Sequence, residues 1–341
     1  MSQDKDDAVA TRLRDGLKDR WYAACPSWFV KEKPVSLKLL GTNVVIWRDR
    51  NGKVHALEDR CPHRGAKLSQ GSILGDTLKC PYHGVEVRCD GVATSVPGSP
   101  GCKLEGSRAT RNFPVMEHSD CVFIFNGSRY VETPPPFTLP PELTQTDEYS
   151  SFLCYLEWKC DYRLVLDNVV DPMHGTFTHK QSHSMSQGST QAKFGLETTD
   201  DGFTFAKEGQ RDLNFDWSEL HDTGGQWVRL AIPYPKSGGP GGNFIIIAMV
   251  TPLTPELCGV YFWRARKVAP GWARDTWRFL YRDRLEARHW HVVEQDRVIL
   301  EDYAPNPIEH EHLYDHDMGV VRLRRLMRGM AEDQIAAEAA G

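Results

Sequence analysis

Cys61-Pro62-His63-Arg64-Gly65 and Cys80-Pro81-Tyr82-His83-Gly84 decide how the first half of this chain is read. Together they spell C-x-H-x16-C-x2-H, so each of two loops offers one thiolate and one imidazole. Thiolates suit zinc or an iron–sulfur cluster, and imidazoles suit zinc, copper or iron. A two-iron cluster with two Cys on one iron and two His on the other has this donor set, and so does a structural zinc site. The mixed order favours the cluster. A zinc finger groups its two Cys at one end and its two His at the other, whereas here each loop can cap one side of a cluster. Each Cys is followed by Pro, which fixes φ and removes a donor. Each loop closes on a Gly that permits a tight return. Ligand type alone leaves zinc open. Colour separates the two, because a cluster absorbs visible light and zinc does not.

The 341 residues suggest about two domains. A net charge of −5 and a pI near 6.2 imply no general attraction to nucleic acid or anionic membrane. The N-terminal stretch MSQDKDDAVATRLRDGLKDR has no apolar core of a secretory signal. No run approaches the roughly 18 apolar residues of a membrane span. The nine Cys, an odd number without a signal, fit free thiols in a reducing cytoplasm. Of those outside the two loops, Cys89 lies nearest the second loop.

Val9, Leu13 and Leu17 fall at helical spacing and predict a short N-terminal helix. From Trp21 to about Asn126 the pattern is β-rich. Val44–Trp47 and Val54–Leu57 flank Asn51-Gly52, a hairpin signal. Cys121–Phe125 reads as a buried closing strand. Thr133-Pro-Pro-Pro136 and Pro140-Pro141 form a connector, so domains are expected at 1–140 and 141–341. In the second domain, 191–197, 203–207, 243–250 and 258–268 read as strands of an antiparallel sheet. Gly238–Gly242 reads as a hairpin connection, with a lid as the alternative. Trp272 to about Asp302, and Met318 to Ala340, read as long helices, the last one at the surface.

Within DYRLVLDNVVDPMHGTFTHK, Leu164, Asp167, Asp171 and His174 fall at i, i+3, i+7 and i+10, one helical stripe. Carboxylates and an imidazole on such a stripe need partners or a metal. Pro172 has no N–H to donate to the carbonyl of Asn168 and should kink the helix. Gly175 then lets His179 swing toward His174. Two His need a third donor to complete the facial triad of non-haem iron(II) oxygenases. Leu285, His289, Val292, Asp296 and Ile299 form an apolar stripe on the long helix with one acid in it, which makes Asp296 the candidate. Pairing of Asp296 with Arg297 or Arg282 is the plainer alternative. His310, His312 and His316 follow Pro305-Asn-Pro307 in a polar loop and read as solvated surface. His183, His289 and His291 are not placed by the pattern.

With both sets of residues in view, the chain resembles the Rieske non-haem iron oxygenases, the oxygenase components of aromatic-ring hydroxylases and oxidative demethylases. The resemblance spans nearly the whole chain. It rests on the two loops, on D-x2-H-x4-H from Asp171 to His179, and on Glu294-Gln-Asp-Arg-Val-Ile-Leu-Glu301. It implies an α+β chain: an all-β Rieske [2Fe–2S] domain, then an antiparallel sheet wrapped around a long helix in the helix-grip manner. It implies that Cys61 and Cys80 bind one cluster iron, His63 and His83 the other, and that His174, His179 and Asp296 bind a mononuclear Fe(II). Asp171 matches the family's bridging aspartate, and Asn168 a polar residue found near the iron. Many members carry Trp after the second loop's Gly, where this chain has Val85.

Members of this length are commonly head-to-tail homotrimers, with the cluster of one subunit beside the iron of the next. The expected electron route is then His83, Asp171 of the neighbouring subunit, and His174, with the Asp171 carboxylate fixing the His174 tautomer. No G-x-G-x-x-G opens a βαβ unit, so electrons from NAD(P)H must come through a separate reductase or ferredoxin. The expected reaction is hydroxylation of a small aromatic or heteroaromatic substrate with O2. Oxidative O- or N-demethylation at the same iron is the alternative, and a Rieske electron carrier without oxygenase activity a remote one.

Overall fold

The computed structural model describes residues 2–128, 133–180, 191, 193–209, 217–234, 242–268, 271–280 and 286–340. The chain divides into two compact units: Lys18–Pro136 with Thr251–Thr254, and Met1–Leu17 with Phe137–Val250 and Pro255–Gly341. The division at 136/137 falls inside the proline-rich connector. The N-terminal helix, Ser2–Asp15, departs from the expected boundary and belongs to the second unit. Its apolar stripe finds its partner there: Val9, Leu13 and Leu17 pack with Ala331 and Ile335 of the C-terminal helix. Arg12 bonds to Gln334 (2.9 Å) and Glu338 (2.8 Å) along the same seam.

The first unit is built from three small sheets. Asn51-Gly52 turns the expected hairpin, with Gly52 at φ +83° and Val45 paired to Leu57. The Asp49 carboxylate accepts from the N–H groups of Asn51 and Lys53, closing the turn from inside. Cys121–Asn126, buried along its whole length, lies between Arg20–Pro26 and Val115–His118. A third sheet orders Ser72–Leu74, Thr77–Lys79, Glu86–Arg88 and Ala93–Ser95, and its central hairpin carries the Cys80 loop. Val85 is buried beside Leu78, Val87 and Cys80. A β-branched residue thus fills the position after Gly84 from inside the unit, burial worth about 1.5–3 kcal/mol.

The second unit centres on a seven-stranded sheet in the order Tyr149–Trp158, Leu257–Lys267, Gly242–Thr254, Gln226–Tyr234, Trp217–Asp222, Gly202–Lys207, Phe194–Thr199. Its pairings are antiparallel, giving the expected α+β class. The outermost strand starts at Phe194 rather than at the expected 191, and the strands Tyr149–Trp158, Trp217–Asp222 and Gln226–Tyr234 are not signalled by the sequence pattern. Phe203, Phe205, Leu220, Val228, Leu230 and Phe262 share one core with Leu164, Val165, Val170, Leu300, Leu323 and Met327 of the helices. Gly238–Pro240 and Gly241 of the expected loop lie outside the described residues.

Of the helix expected from Trp272 to about Asp302, Trp272–Phe279 and Glu286–Glu301 are helical, and 281–285 lie outside the described residues. They bury different contacts, Trp277 against Phe152 and Trp290 against Phe262. The C-terminal helix Met318–Ala340 is not purely superficial: Val320, Leu323, Met327 and Ala331 are buried, while Arg325 and Arg328 are exposed. No described helix is long and apolar enough to cross a membrane.

Candidate metal centres

In the first unit both cysteine loops are closed by the same pair of backbone bonds. The N–H of Cys61 donates to Ala66 O (2.8 Å) and that of Gly65 to Cys61 O (2.9 Å); Cys80 donates to Val85 O (2.8 Å) and Gly84 to Cys80 O (3.1 Å). Gly65 and Gly84 sit at φ +76° and +72°, the left-handed region in which glycine carries no steric penalty. This shared frame buries the two thiols and leaves His63 and His83 exposed at the tip, their rings 4.7 Å apart and edge to face. Burial pushes the Cys61 thiol up, the N–H groups of His63 and Arg64 pull it down, and the neighbouring Cys80 pushes it up again; the net shift is upward. Two buried sulfurs that close cannot both be thiolates without a cation, so the donor set fits a metal cluster on chemistry as well as on spacing.

The tip is basic. Arg60 lies against Gly65, Lys79 against Gly84, and the Arg64 guanidinium sits 5.7 Å over the exposed Tyr82 ring.

In the second unit, Asp161 starts the Tyr162–Val170 helix by accepting from the N–H of Arg163 (2.9 Å). Pro172 was expected to kink this helix. The helix instead ends at Val170 and restarts as His174–Thr178. Ser218 donates to the Val170 carbonyl (2.7 Å), satisfying one acceptor that the break leaves behind. The Asp171 carboxylate accepts from the N–H of Met173 (2.6 Å) and of His174 (3.2 Å), which begins the new turn. The His174 ring is met at Nδ1 by the Asp171 carbonyl oxygen at 2.7 Å. The expected carboxylate contact is longer, 3.5 Å. The carbonyl, not the carboxylate, therefore holds the tautomer, since the carboxylate is engaged by the backbone.

The break swings His179 to the same side as His174. Asp296 Oδ1 lies 3.2 Å from His179 Nε2 and 3.6 Å from His174 Nε2. The three donor atoms lie within 4.8 Å of one another. His179 Nε2 and Asp296 Oδ1 are buried without a hydrogen-bond partner. Buried polar atoms left so are costly, about 1–3 kcal/mol each, unless a cation sits between them. Burial pulls His174 down, but Asp171 and Asp296 outweigh it, and its pKa is raised. Arg297 does not pair with Asp296, since it bonds to Glu294 (2.8 Å) and Glu301. Arg282, Leu285 and the side chain of His289 lie outside the described residues, as does His183.

Asn168 lines a cavity of about 420 Å³ with Asp171, His174, Tyr303 and Arg324. In its wall, Arg324 pairs with Asp167 (2.6 Å) and with Glu311 (2.9 Å). Burial outweighs this arginine and pushes Asp167 up to about 6. His310 and His312 are exposed as expected, while the His316 ring lies tilted against Phe194, 5.0 Å between centroids. The sequence reading missed Gln295, whose Oε1 lies 3.1 Å from His179 Nδ1.

The sequence profile of the Rieske [2Fe–2S] domain matches residues 20–114, and that of the vanillate O-demethylase oxygenase C-terminal domain matches residues 158–333. The chain belongs to the Rieske non-haem iron oxygenases. The cofactors of this family are a [2Fe–2S] cluster and a mononuclear iron, and each unit of this chain holds one fitting donor set. The chain is 33% identical over 169 residues (48% of this chain, 46% of the relative) to a vanillate O-demethylase oxygenase subunit from a Pseudomonas species. It is 34% identical over 166 residues (48% and 47%) to the oxygenase component of chloroacetanilide N-alkylformylase from Rhizorhabdus wittichii. The matched part thus spans about half the length of these relatives. Among solved structures, the oxygenase in an oxygenase–ferredoxin complex of carbazole 1,9a-dioxygenase superposes with a TM-score of 0.76 at 21% identity, over 94% of this chain and 91% of that one.

Proposed function

We propose that this oxygenase is the terminal component of a multicomponent system that hydroxylates a small aromatic or heteroaromatic substrate with O2. Electrons come from NAD(P)H through a separate reductase or ferredoxin. One observation carries the reading: His174, His179 and Asp296 converge on one point, where buried Nε2 and Oδ1 atoms face each other unbonded. These three residues hold the mononuclear iron, while Cys61 and Cys80 hold one cluster iron and His63 and His83 the other. When bound, the iron supplies O2 activation at its open positions and the cluster supplies electrons singly. Asp171 orients His174 through its carbonyl, and Asn168 lines the cavity beside it.

Oxidative dealkylation is favoured among the possible outcomes. The two relatives above are named for O-demethylation and for N-alkyl chemistry. In that reaction one oxygen atom enters a C–H bond of an O- or N-methyl group. The other leaves as water, with two electrons and two protons, and the resulting hemiacetal or hemiaminal releases formaldehyde.

The working assembly is a head-to-tail homotrimer in a reducing cytoplasm. Charge supports it: the cluster tip is ringed by Arg60, Arg64 and Lys79, and the cavity beside His174 carries Asp167, Asp171, Glu311 and Asp317 against Arg324. A tip docked there brings His83 of one copy toward Asp171 of the next. The test is reconstitution with a ferredoxin and its reductase and a screen of methoxylated aromatic acids and N-alkyl heterocycles. Formaldehyde formed in step with O2 use supports dealkylation, and a ring-hydroxylated product supports the wider reading. Peroxide as the only product with every substrate contradicts both.

A further inference from the structure

Gln295 and Asp296 are consecutive on the Glu286–Glu301 helix, and they touch opposite edges of one imidazole. Gln295 Oε1 lies 3.1 Å from His179 Nδ1, and Asp296 Oδ1 lies 3.2 Å from His179 Nε2. The His179 side chain is fully enclosed, and its backbone N–H donates to Gly175 O, which anchors the main chain from which the ring extends.

A side-chain amide can donate through nitrogen or accept through oxygen. A metal bound at Nε2 needs the lone pair of that atom, which places the ring proton on Nδ1 and makes Gln295 the acceptor. His174 has the matching arrangement, with the Asp171 carbonyl at Nδ1. The shortest contact at each Nδ1 is therefore a neutral oxygen, with the Asp171 carboxylate farther off, 3.5 Å from His174 Nδ1. Carboxylates often take this place behind a metal-bound His and raise its basicity.

We propose that Gln295 is the positioning residue for His179: its amide turns Nε2 toward Asp296 and keeps the ring a neutral donor, so that Asp296 is the single anion among the three donors. This rests on the reading that His174, His179 and Asp296 hold the iron.

The test measures Fe(II) affinity and the spectrum of the nitric oxide adduct in the full chain, with the visible cluster spectrum reporting that the fold is intact. Gln295→Leu is expected to weaken Fe(II) binding about ten- to hundredfold. Gln295→Glu is expected to restore tight binding with a shifted nitrosyl spectrum and a lower iron potential, because a charged acceptor makes the imidazole a stronger donor. Wild-type affinity in Gln295→Leu overturns the proposal. So does a Gln295→Glu protein indistinguishable from wild type in spectrum and potential, and that variant alone decides if Gln295→Leu does not fold. Failure of the underlying reading looks different: the wild type itself holds no iron beyond the cluster, or His179→Ala holds it as tightly as wild type.

Discussion

The Nδ1 of His174 lies 2.7 Å from the main-chain oxygen of Asp171, while the carboxylate of the same Asp171 is bound to the N–H groups of Met173 and His174. One residue thus holds the ring with its backbone and starts the next helical turn with its side chain. Asp171→Asn keeps an acceptor for the turn and leaves the carbonyl in place, removing only charge. Both metals are expected to remain while turnover falls about ten- to hundredfold. Asp171→Ala also loses the cap, at about 1 kcal/mol, and iron is expected to fall with it. Iron analysis beside product formation checks both; full turnover in the Asn variant contradicts a role for the charge.

Asp167 and Arg324 are 157 positions apart in sequence and form a partly buried pair. Arg324→Leu leaves that carboxylate without its guanidinium. The expected loss is about 1–3 kcal/mol, the cost of leaving a buried polar group without its partner. Chemical denaturation followed by tryptophan fluorescence measures it, and a loss under 1 kcal/mol, roughly the value of an exposed pair, contradicts the buried reading.

The same pair gives an inverted pH dependence. Asp167 is pushed up to about 6 by burial, so the folded chain holds this proton more tightly than the unfolded one. Its contribution to stability is fully present below the ordinary carboxylate range and is lost as pH rises through about 6. Denaturation at several pH values is expected to show this downward slope in wild type and its absence in Asp167→Asn. Equal slopes in both contradict the assignment.

Gly84 sits at φ +72°, and a Cβ there would meet Lys79 Cε and Pro97 Cγ at an unremarkable 3.5 Å. Gly84→Ala therefore strains the backbone, by about 1–2 kcal/mol, rather than clashing. The strain falls on the loop that presents Cys80 and His83, so loss of cluster colour to a chelator is expected to quicken. Gly101→Ala, at φ +75° with no atom within 4 Å, is the matched control and is expected to leave that rate unchanged.

What could be read from the chain alone follows from how local each feature is. Cys61, His63, Cys80 and His83 belong to two short loops with one hydrogen-bond frame, so their local arrangement is legible from spacing. Asp296 was found for a partly mistaken reason: Ile299 of the proposed stripe is 45% exposed, and the residues that pack inward are Trp290, Val293 and Leu300. Gln295 reaches His179 across 116 positions, and no periodicity encodes that contact. A stripe of Val9, Leu13 and Leu17 shows that a partner for the N-terminal helix exists without saying where, so its packing on the C-terminal helix is not legible from the sequence. Pro172 was legible as a breaker, but whether a break becomes a kink or a new helix depended on the Asp171 side chain.

The most direct test is iron and acid-labile sulfide per chain in wild type and in His179→Ala. About three irons and two sulfides are expected in wild type, falling to about two and two in the variant with the cluster spectrum unchanged, by ligand counting. Iron that is the same in both proteins, or zinc without sulfide in the first unit, contradicts an electron store in one half serving an open iron site in the other.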